Sequence, residues 1–429
     1  MTRLHWFVIL LFFLSVSVSC TKDNHVILQL GTFAGSAWDV PNPETYYNLD
    51  EAIKRFEEKY PTIEVEYTSG ILKTDYSEWL SQKVLNGSEP DCFFILPEDF
   101  PLFSDMGILE PLDTLYKQSD SLQSMQFFDT TLQAGTLHGI QYALPVECDA
   151  SLVFVNTTLL ESFGLSFPEE DWTWDDLFEL SLQVTKDFNG DGYLDTFGIS
   201  DFTWSEAVYT NGQNIFNDAG NRGLFDSEAV FESFTFLFQL QNLAKGQKIP
   251  DFWDGKVLFS VAKYSWYRAY GYYPYSILKS GKFKWKATTL PRGPLGKNAS
   301  ELDTLTLGIS HRSNNKEEAK LFLEFLLTDD EIQDMQLQRS RGLSPSQKIL
   351  SKDGLHSILM NDITLEGNEI SMQTLARSID ESVVYASFRK YQGAVKQINS
   401  SLPDVLGSDD KLRNALYHLN NDLNIYLGE

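Results

Sequence analysis

The first hundred residues alternate between short apolar runs and amphipathic segments, and this alternation is the strongest constraint on the fold. Residues 26–30 and 63–67 read V-I-L-Q-L and I-E-V-E-Y, and both have the composition of strands. Residues 92–96 form a continuous apolar run, which is typical of a buried parallel strand. Between these runs, residues 48–59 and 76–85 place apolar side chains at helical spacing. The order strand, helix, strand, helix, strand predicts a layered α/β unit.

A second unit is expected, because 429 residues are too many for one ordinary core. Residues 141–158 read Q-Y-A-L-P-V-E-C-D-A-S-L-V-F-V-N-T-T, with Glu147 and Asp149 between two apolar runs. Residues two apart share one face of a strand, so both carboxylates could point into one cavity. Our hypothesis is that this stretch crosses between two lobes and forms part of the floor of a ligand cleft; the alternative is an ordinary strand with solvated acids. Residues 305–310 are the candidate second crossing.

Composition and charge narrow the class of protein. Apolar residues make up 42% of the chain and aromatic residues 14%, which indicates a well-packed globular protein. The net charge of -26 argues against nucleic acid or anionic lipid as a partner, because both require basic patches. The charge does not identify what the protein binds.

The amino terminus has the pattern of a processing signal. Arg3 precedes an apolar run at residues 6–14, which is too short to span a bilayer as a helix. Small residues then lead to Cys20 in S-V-S-C, which resembles a bacterial lipoprotein signal. That resemblance implies that residues 1–20 are a signal peptide with Cys20 lipidated, and that the protein is held on the extracellular face of the cell membrane by this anchor only. A plain secretory signal or a buried helix is the alternative.

The other candidate chemical groups are few. Cys92 and Cys148 lie in apolar, strand-like segments, where buried free thiols are favoured over a disulfide. The six histidines have no metal-ligand spacing, and no cofactor is predicted. A loop at residues 187–195 resembles the first half of a calcium loop, with oxygen side chains at Asp187, Asn189, Asp191 and Asp195. Its twelfth position is Gly198 where an EF-hand has Glu, so a simple turn is favoured over a weak calcium site.

Aromatic and acidic residues recur together in the predicted loops. Trp38 and Asp39 follow the first strand, where open α/β sheets bind ligands, although Trp38 could instead be a hydrophobic plug. Trp266 lies in a predicted loop after a strand at residues 257–262. Aromatic rings can cover the weakly apolar C–H face of a sugar, and carboxylates can accept its hydroxyl groups. The pattern therefore favours a sugar over an anionic ligand, which would require basic donors.

The order of these segments resembles the extracellular solute-binding proteins of family 1, the sugar-capturing subunits of bacterial ABC importers. The resemblance extends over nearly the whole mature chain. It is based on the segments G-I-L-E-P-L at 107–112, W-T-W-D-D-L at 172–177, Ser265-Trp266, L-P-R-G-P at 290–294, and residues 309–326. It implies a two-lobe, periplasmic-binding-protein-like (type II) α/β fold that closes on its ligand. It also implies a monomer that delivers a carbohydrate to the permease subunits of an importer.

The resemblance also implies lobe limits and ligand contacts. The amino-terminal lobe is expected at residues 21–146 plus 309–357, and the carboxyl-terminal lobe at 147–308 plus 358–429. By this resemblance Glu147 binds sugar, Trp266 stacks on a sugar ring, and Phe388 belongs with Tyr385 and Tyr391 to an aromatic platform. The full set of predicted ligand contacts is Trp38, Asp39, Glu98, Asp99, Glu147, Asp149, Trp204, Asn211, Tyr264, Trp266, Arg341 and Phe388.

Other functions are also compatible with these residues. Thiaminase-like proteins place a nucleophilic cysteine in such a cleft, but acids beside Cys148 would raise the pKa of its thiol. A glycosidase could use Glu147 with Asp149 or Asp99 as its carboxylate pair. The protein could also serve a sensor kinase, or bind a peptide or polyamine. We predict a binding protein that is not an enzyme.

Overall fold

Two separate β-sheets form the framework of the protein in the computed structural model, which describes residues 25–217, 219–270, 283–298, 301–352, 368–384, 388, 390–406 and 411–428. The predicted signal segment and Cys20 lie outside the described residues. The strands are β1 (Val26–Gly31), β2 (Ile63–Tyr67), β3 (Cys92–Ile95), β4 (Thr136–Leu137), β5 (Ile140–Gln141), β6 (Ala143–Asp149), β7 (Ser151–Asn156), β8 (Phe197–Ser200), β9 (Val257–Lys263), β10 (Trp285–Thr288) and β11 (Asp303–Ile309).

The first sheet has the strand order β2-β1-β3-β11-β6. Strands β1, β2 and β3 are parallel, as the alternation with helices predicts, and β11 runs antiparallel to both of its neighbours. Strand β3 is buried at every position, whereas β2 alternates between buried and exposed side chains. The apolar faces of this sheet and its helices, including Phe56 and Phe322, form one continuous core. This unit is the first lobe.

The second sheet has the order β10-β7-β9-β8. Strand β7 is fully buried and pairs antiparallel with β10 and β9, while β8 and β9 are parallel. Helices cover this sheet with two further apolar clusters, one of which contains residues of the two carboxyl-terminal helices. This unit is the second lobe, so the predicted two-lobe α/β architecture is confirmed.

The chain passes from the first sheet to the second at Ala150, because β6 ends at Asp149 and β7 begins at Ser151. It returns between β10 and β11, so both strands β6 and β11 lead to the junction of the lobes. In that junction Asp149 is paired in register with Asp303. The two passages lie in or next to the stretches predicted to cross, and the residue limits of the lobes remain a prediction.

Helices connect and cover the two sheets. They are Thr45–Lys59, Lys73–Leu85, Phe100–Asp105, Asp113–Gln118, Asp120–Ser124, Asp129–Gln133, Thr157–Ser162, Trp174–Val184, Trp204–Thr210, Glu228–Leu243, Tyr264–Tyr270, Lys316–Thr328, Asp330–Arg339, Gln347–Leu350, Met372–Asp380, Tyr391–Leu406 and Leu412–Gly428, with a 3-10 turn at Phe252–Asp254. Within the described ranges, none of these helices is both long and apolar enough to cross a membrane.

One predicted loop is a helix. Tyr264, Trp266 and Tyr267 are predicted to lie in a loop, but they belong to the helix Tyr264–Tyr270 directly after β9. The Tyr264 amide donates to the Ala150 carbonyl and the Ser265 amide donates to the Asp149 carboxylate. These long-range bonds satisfy the first amides of the helix, which no pattern within the segment itself could indicate.

Candidate functional site

A cavity of about 1430 Å³ lies between the two lobes. The loops after β1 and β3 form one side of it, and the ends of β8 and β9 with the start of the helix Trp204–Thr210 form the other. The end of β6 and the start of β11 contribute to it from the junction of the lobes. Strand ends from both sheets therefore meet at one cleft, as expected for ligand sites in α/β proteins.

Five of the twelve predicted contacts line this cleft, namely Trp38, Asp39, Glu98, Asp149 and Trp266. They come from both lobes and from the junction between them. Their contact with a ligand stays a prediction, but the structure brings them to one cavity. The other seven, Asp99, Glu147, Trp204, Asn211, Tyr264, Arg341 and Phe388, do not line it.

Trp38 and Glu147 form a buried network on the first-lobe side. The Trp38 side chain is only 7% exposed, and its indole Nε1 donates to Glu147 Oε1 at 3.1 Å. The same carboxylate oxygen accepts hydrogen bonds from the Ser340 hydroxyl and the Gly342 amide. Burial raises the pKa of Glu147 to about 7, although the hydrogen bonds from Trp38 and Gly342 and the charge of Arg341 favour the ionised form. Trp38 is therefore mainly a buried packing residue, which is the alternative given above, and it also lines the cleft.

The prediction that Glu147 and Asp149 share a cavity is wrong. Glu147 lines a separate cavity of about 110 Å³ inside the first lobe, whereas Asp149 lines the cleft between the lobes. Trp38 lines the cleft and donates to Glu147, so its indole lies between that carboxylate and the cleft. The alternation of a strand sets which side a residue takes, but the loops that cover that side decide which cavity it meets.

Asp149 belongs to a charged cluster around Lys263. Asp149 is 2% exposed and accepts from the Ser265 amide at 3.0 Å. Burial raises its pKa to about 7, and the charge of Lys263 acts in the opposite direction. Lys263 pairs with Asp303 at 3.2 Å, and its Nζ donates to the Glu301 carbonyl at 3.0 Å. Burial alone would lower the pKa of Lys263, but the carboxylates of Asp303, Asp149 and Glu301 outweigh it and raise that pKa.

Trp266 supplies an aromatic surface on the second-lobe side. Its ring is half-buried and stacks on Trp253, with centroids 6.2 Å apart and planes 13° apart. Both tryptophans line the cleft. The helix that carries Trp266 also carries Arg268, which is 1% exposed and donates to the carbonyl of Gln338 at 2.9 Å. That carbonyl belongs to the helix Asp330–Arg339 of the first lobe, so the stacking helix is attached to both lobes.

The remaining predicted contacts have structural partners. Asn211 is buried, and its side chain donates to the Ala229 carbonyl and accepts from the Leu295 amide, so it closes a turn. Tyr264 is buried in the apolar cluster beneath the cleft. Asp99 accepts from the Ser77 hydroxyl at 2.7 Å, and burial raises its pKa to about 6. Arg341 is 8% exposed, and its Nε donates to the Pro41 carbonyl.

Two predicted aromatic contacts lie beside the cleft. Trp204 lines a neighbouring cavity of about 480 Å³, and its indole donates to Asn399. Phe388 packs edge-to-face against Phe216 and Tyr391, with centroids 5.0 and 5.7 Å away. Tyr391 donates to the Glu301 carboxylate, and Tyr385 lies outside the described residues. Phe388 and Tyr391, the two described members of the expected platform, are thus part of the second-lobe packing.

The loop at residues 187–195 is held by hydrogen bonds from its own backbone amides to its own carboxylates. Asp187 accepts from the amides of Gly190 and Gly192, and Asp195 accepts from the amide of Phe188. The hydrogen bond from the Gly192 amide is the main reason that the pKa of Asp187 is lowered. Over the described ranges, no group of three or more His, Cys, Asp or Glu residues has the arrangement of a metal site. The favoured turn accounts for the Asn-Gly and Asp-Gly sequence.

The two cysteines are free and buried, as predicted. The Cys148 side chain lies in an apolar cluster with its sulfur 3.7 Å from the Leu343 carbonyl. Burial, with Asp149 and Glu147 nearby, raises the pKa of the Cys148 thiol well above its ordinary value. Cys148 does not line the cleft, and a thiol held protonated is a poor nucleophile.

Several cleft residues were missed from the sequence. Lys263, Glu301 and Asp303 flank predicted strands, and their positions at strand ends were the available signal. Asp201 follows β8 directly, has a positive φ of 63° and accepts a hydrogen bond from Ser260. Its place at the cleft could have been inferred, because it is a polar residue immediately after an apolar strand. Nothing local in the sequence indicates that Glu206, which caps a helix, also faces the cleft.

Comparisons with known proteins agree with this architecture. A binding protein of Brucella abortus is 24% identical over 290 residues, which cover 64% of this chain and 69% of that relative. The sugar-binding protein MalE of Xanthomonas citri is 17% identical with a TM-score of 0.76, covering 94% of this chain and 98% of that structure. An ABC substrate-binding protein of Listeria monocytogenes in complex with cycloalternan is 19% identical with a TM-score of 0.67, covering 94% and 99%.

A family model gives the most direct assignment. The model for bacterial extracellular solute-binding proteins matches residues 41–333. This range contains Trp253 and Trp266, the passage at Ala150 and the charged cluster around Lys263, and it begins just after Trp38. Because the match extends over more than half of the 429 residues, the protein belongs to the bacterial extracellular solute-binding protein family.

Proposed function

We propose that the protein is the extracellular substrate-binding subunit of an ABC importer and captures a sugar or oligosaccharide between its lobes. One observation carries the proposal: a half-buried Trp266, backed by Trp253, faces a cleft that also contains several carboxylates. An indole covers the C–H face of a sugar ring with little loss of conformational freedom. Carboxylates beside it accept the hydroxyl hydrogens through charge-assisted bonds.

The size of the cleft supports a ligand of more than one ring. Its volume of about 1430 Å³ exceeds the roughly 300–1,000 Å³ of ordinary small-molecule pockets. Relatives of the same fold are described as maltose-bound and as a binding protein for cyclic alpha-maltosyl-1,6-maltose. An oligosaccharide is therefore the ligand class that we propose for this chain.

Binding is proposed to act through lobe closure. A ligand that touches both lobes stabilises the closed arrangement in proportion to its preference for that arrangement. Trp38 and Glu98 on one side, with Trp266 on the other, supply contacts from both lobes. The closed protein would then deliver its sugar to the permease, as a monomer anchored through Cys20. Catalysis forms no part of the proposal, because the family consists of binding proteins.

A thermal-shift screen of the mature protein against a glycan panel tests the proposal. A ligand that binds only the folded state raises the unfolding temperature by mass action. Trp266→Ala should then weaken binding of the identified sugar by roughly 2 kcal/mol, about thirtyfold in Kd, without unfolding the protein.

Trp79→Ala provides the matched control, because Trp79 is partly buried against the first-lobe core and does not line the cleft. It removes the same side chain and should leave sugar affinity unchanged. The proposal fails if no sugar shifts the transition while a peptide pool does. Equal affinity in the Trp266→Ala variant would remove this ring from the site.

A further inference from the structure

The cleft carries a marked excess of negative charge. Among the described residues that line it are eight carboxylates and three lysines, a formal excess of five negative charges. Lys73 is paired with Asp39 at 3.0 Å, and Lys263 with Asp303 at 3.2 Å. The third, Lys248, is exposed. A neutral sugar requires some hydrogen-bond acceptors, but it does not require a negative excess of this size among the described residues that line its site.

The excess is concentrated on the second-lobe side. Asp149, Glu206 and Glu301 each interact electrostatically with the single charge of Lys263. Asp201 adds a further carboxylate at the end of β8, where Ser260 donates to it at 3.0 Å. Among the described residues that line this wall, Lys263 and the exposed Lys248 carry two positive charges against these four carboxylates and Asp303, so a further cation would be attracted to the wall.

A buried hydroxyl next to this wall is an independent indication of a ligand. Ser200 lines the cleft and is 9% exposed, and its Oγ has no hydrogen-bond partner in the part of the chain that the structure describes. Buried polar groups in folded proteins nearly always have a partner. Ser200 immediately precedes Asp201, so a ligand group that donates hydrogen bonds there could contact both side chains.

From this arrangement, and on the basis of the proposed function, we propose that the ligand is a sugar with a protonated amino group, held beside Ser200 and Asp201 on the second-lobe wall. An ammonium group supplies positive charge and three donors, which match an array of carboxylate and hydroxyl oxygens. Trp266 would cover a ring of the same sugar. The ligand class thus becomes amino sugars with a free amine, in preference to neutral or N-acetylated sugars.

The titration behaviour of the wall agrees with this geometry. Burial, together with the charge of the neighbouring Asp303, raises the pKa of both Asp149 and Glu301 to about 7 against the opposing charge of Lys263. These carboxyl groups therefore share protons near neutral pH when the cleft holds no cation. An ammonium would lower their pKa values and release protons as it binds. Affinity for the amino sugar should fall as the pH drops from 7 towards 5, because the carboxylates become protonated.

The test compares 1,4-linked disaccharides that differ only at carbon 2, by isothermal titration calorimetry. The amino, N-acetylamino and hydroxyl forms of one β-linked disaccharide form the series, with spermidine as a cation that is not a sugar. The amino form should bind at least tenfold more tightly than either neutral form, and its affinity should fall with added salt. Its apparent enthalpy at pH 7 should change with the ionisation enthalpy of the buffer, which reports proton release.

The outcomes separate this inference from the proposed function. Equal or tighter binding of the neutral forms, or no binding of the amino form, overturns the inference; in the first case sugar binding itself still stands. Binding of spermidine without any sugar overturns both.

A charge-removing variant locates the amine. Asp201→Asn should weaken binding of the amino sugar five- to tenfold and reduce the salt dependence of that binding. Asparagine accepts the same Ser260 bond and tolerates the positive φ, so the fold should be unaffected. Glu58→Gln on the helix Thr45–Lys59 makes the same charge change at an exposed site away from the cleft. If both variants behave alike, the amine does not lie at Asp201.

Discussion

The two sides of the cleft use the same kinds of residue in opposite ways. On the first-lobe side, Trp38 is buried and its indole is fixed by Glu147. On the second-lobe side, Trp266 keeps a half-buried face, and Asp149 lies among charged groups. Each side thus has one tryptophan and one acid of β6, and each acid has a pKa of about 7.

The difference teaches how access to the cleft changes the use of an acid. Glu147 has the charge of Arg341 nearby and accepts from donors that hold the loop at residues 340–342 and the indole in place. Asp149 lies beside the charge of Lys263 and lines the cleft. The contacts of Glu147 stabilise the fold, whereas Asp149 can respond to a ligand. Four measurements can break or sharpen this distinction.

Among the single substitutions, the largest effect is expected from Glu147→Ala. This change leaves the Trp38 indole, the Ser340 hydroxyl and the Gly342 amide without their shared acceptor. Buried donors without a partner are costly, so the free energy of unfolding should fall by roughly 3 kcal/mol. Urea denaturation measures it. Glu147→Gln keeps an acceptor oxygen, and its free energy of unfolding should fall by less than about 1 kcal/mol. Equal losses in both variants would show that these hydrogen bonds do not stabilise the fold.

The pH dependence of stability tests both acids together. The folded pKa values of Glu147 and Asp149 are raised to about 7, above roughly 4 for these groups in an unfolded chain. Between these values the folded state retains protons that the unfolded state has lost. The contribution of these groups to stability should therefore be greatest below about pH 4, fall as the pH rises to 7, and level off above it.

Denaturation at pH 5, 6, 7 and 8 tests this sign, with a slope of up to roughly 1.4 kcal/mol per pH unit for each group. Asp149→Asn should flatten the profile. A flat profile would show that the two carboxyl groups are ionised throughout the range, and a slope in the opposite direction would contradict their raised pKa values.

A smaller effect is expected from Trp38→Phe. Phenylalanine preserves most of the apolar contact but lacks the indole N–H that binds Glu147. The expected loss is about 1 kcal/mol of stability, the usual contribution of one hydrogen bond. Ligand affinity should change less than in Trp266→Ala, since Trp38 exposes only 7% of its surface. A greater loss of affinity at Trp38 would reverse the comparison between the two walls.

The smallest effect is expected from Asp39→Ala. The Asp39 carboxylate is almost fully exposed, and its pair with Lys73 is surrounded by solvent. Exposed ion pairs contribute little to stability, so the thermal unfolding midpoint should stay within experimental error. A clear shift would show that the loop after β1 depends on this pair.

The succession of strands and helices could be predicted because each element has its own apolar periodicity. The places of Trp38, Glu98 and Asp149 at the cleft could be predicted as well, because they lie at or after the ends of strands that the periodicity indicates. The separate surroundings of Glu147 could not be predicted, since they depend on Trp38 and Gly342, which are 109 and 195 residues away. The cluster around Lys263 likewise draws on three strands whose register no local pattern gives.

The bond from Arg268 to the end of the helix Asp330–Arg339 has a consequence for sequence variation. Its acceptors are the main-chain carbonyls of Leu337 and Gln338, so replacing the exposed Gln338 side chain leaves the bond in place. Inserting or deleting one residue in that helix would instead turn these carbonyls by about 100° and move them by 1.5 Å. The attachment of the Trp266 helix to the first lobe therefore restricts the length of a distant helix and leaves the identity of this exposed side chain open to drift.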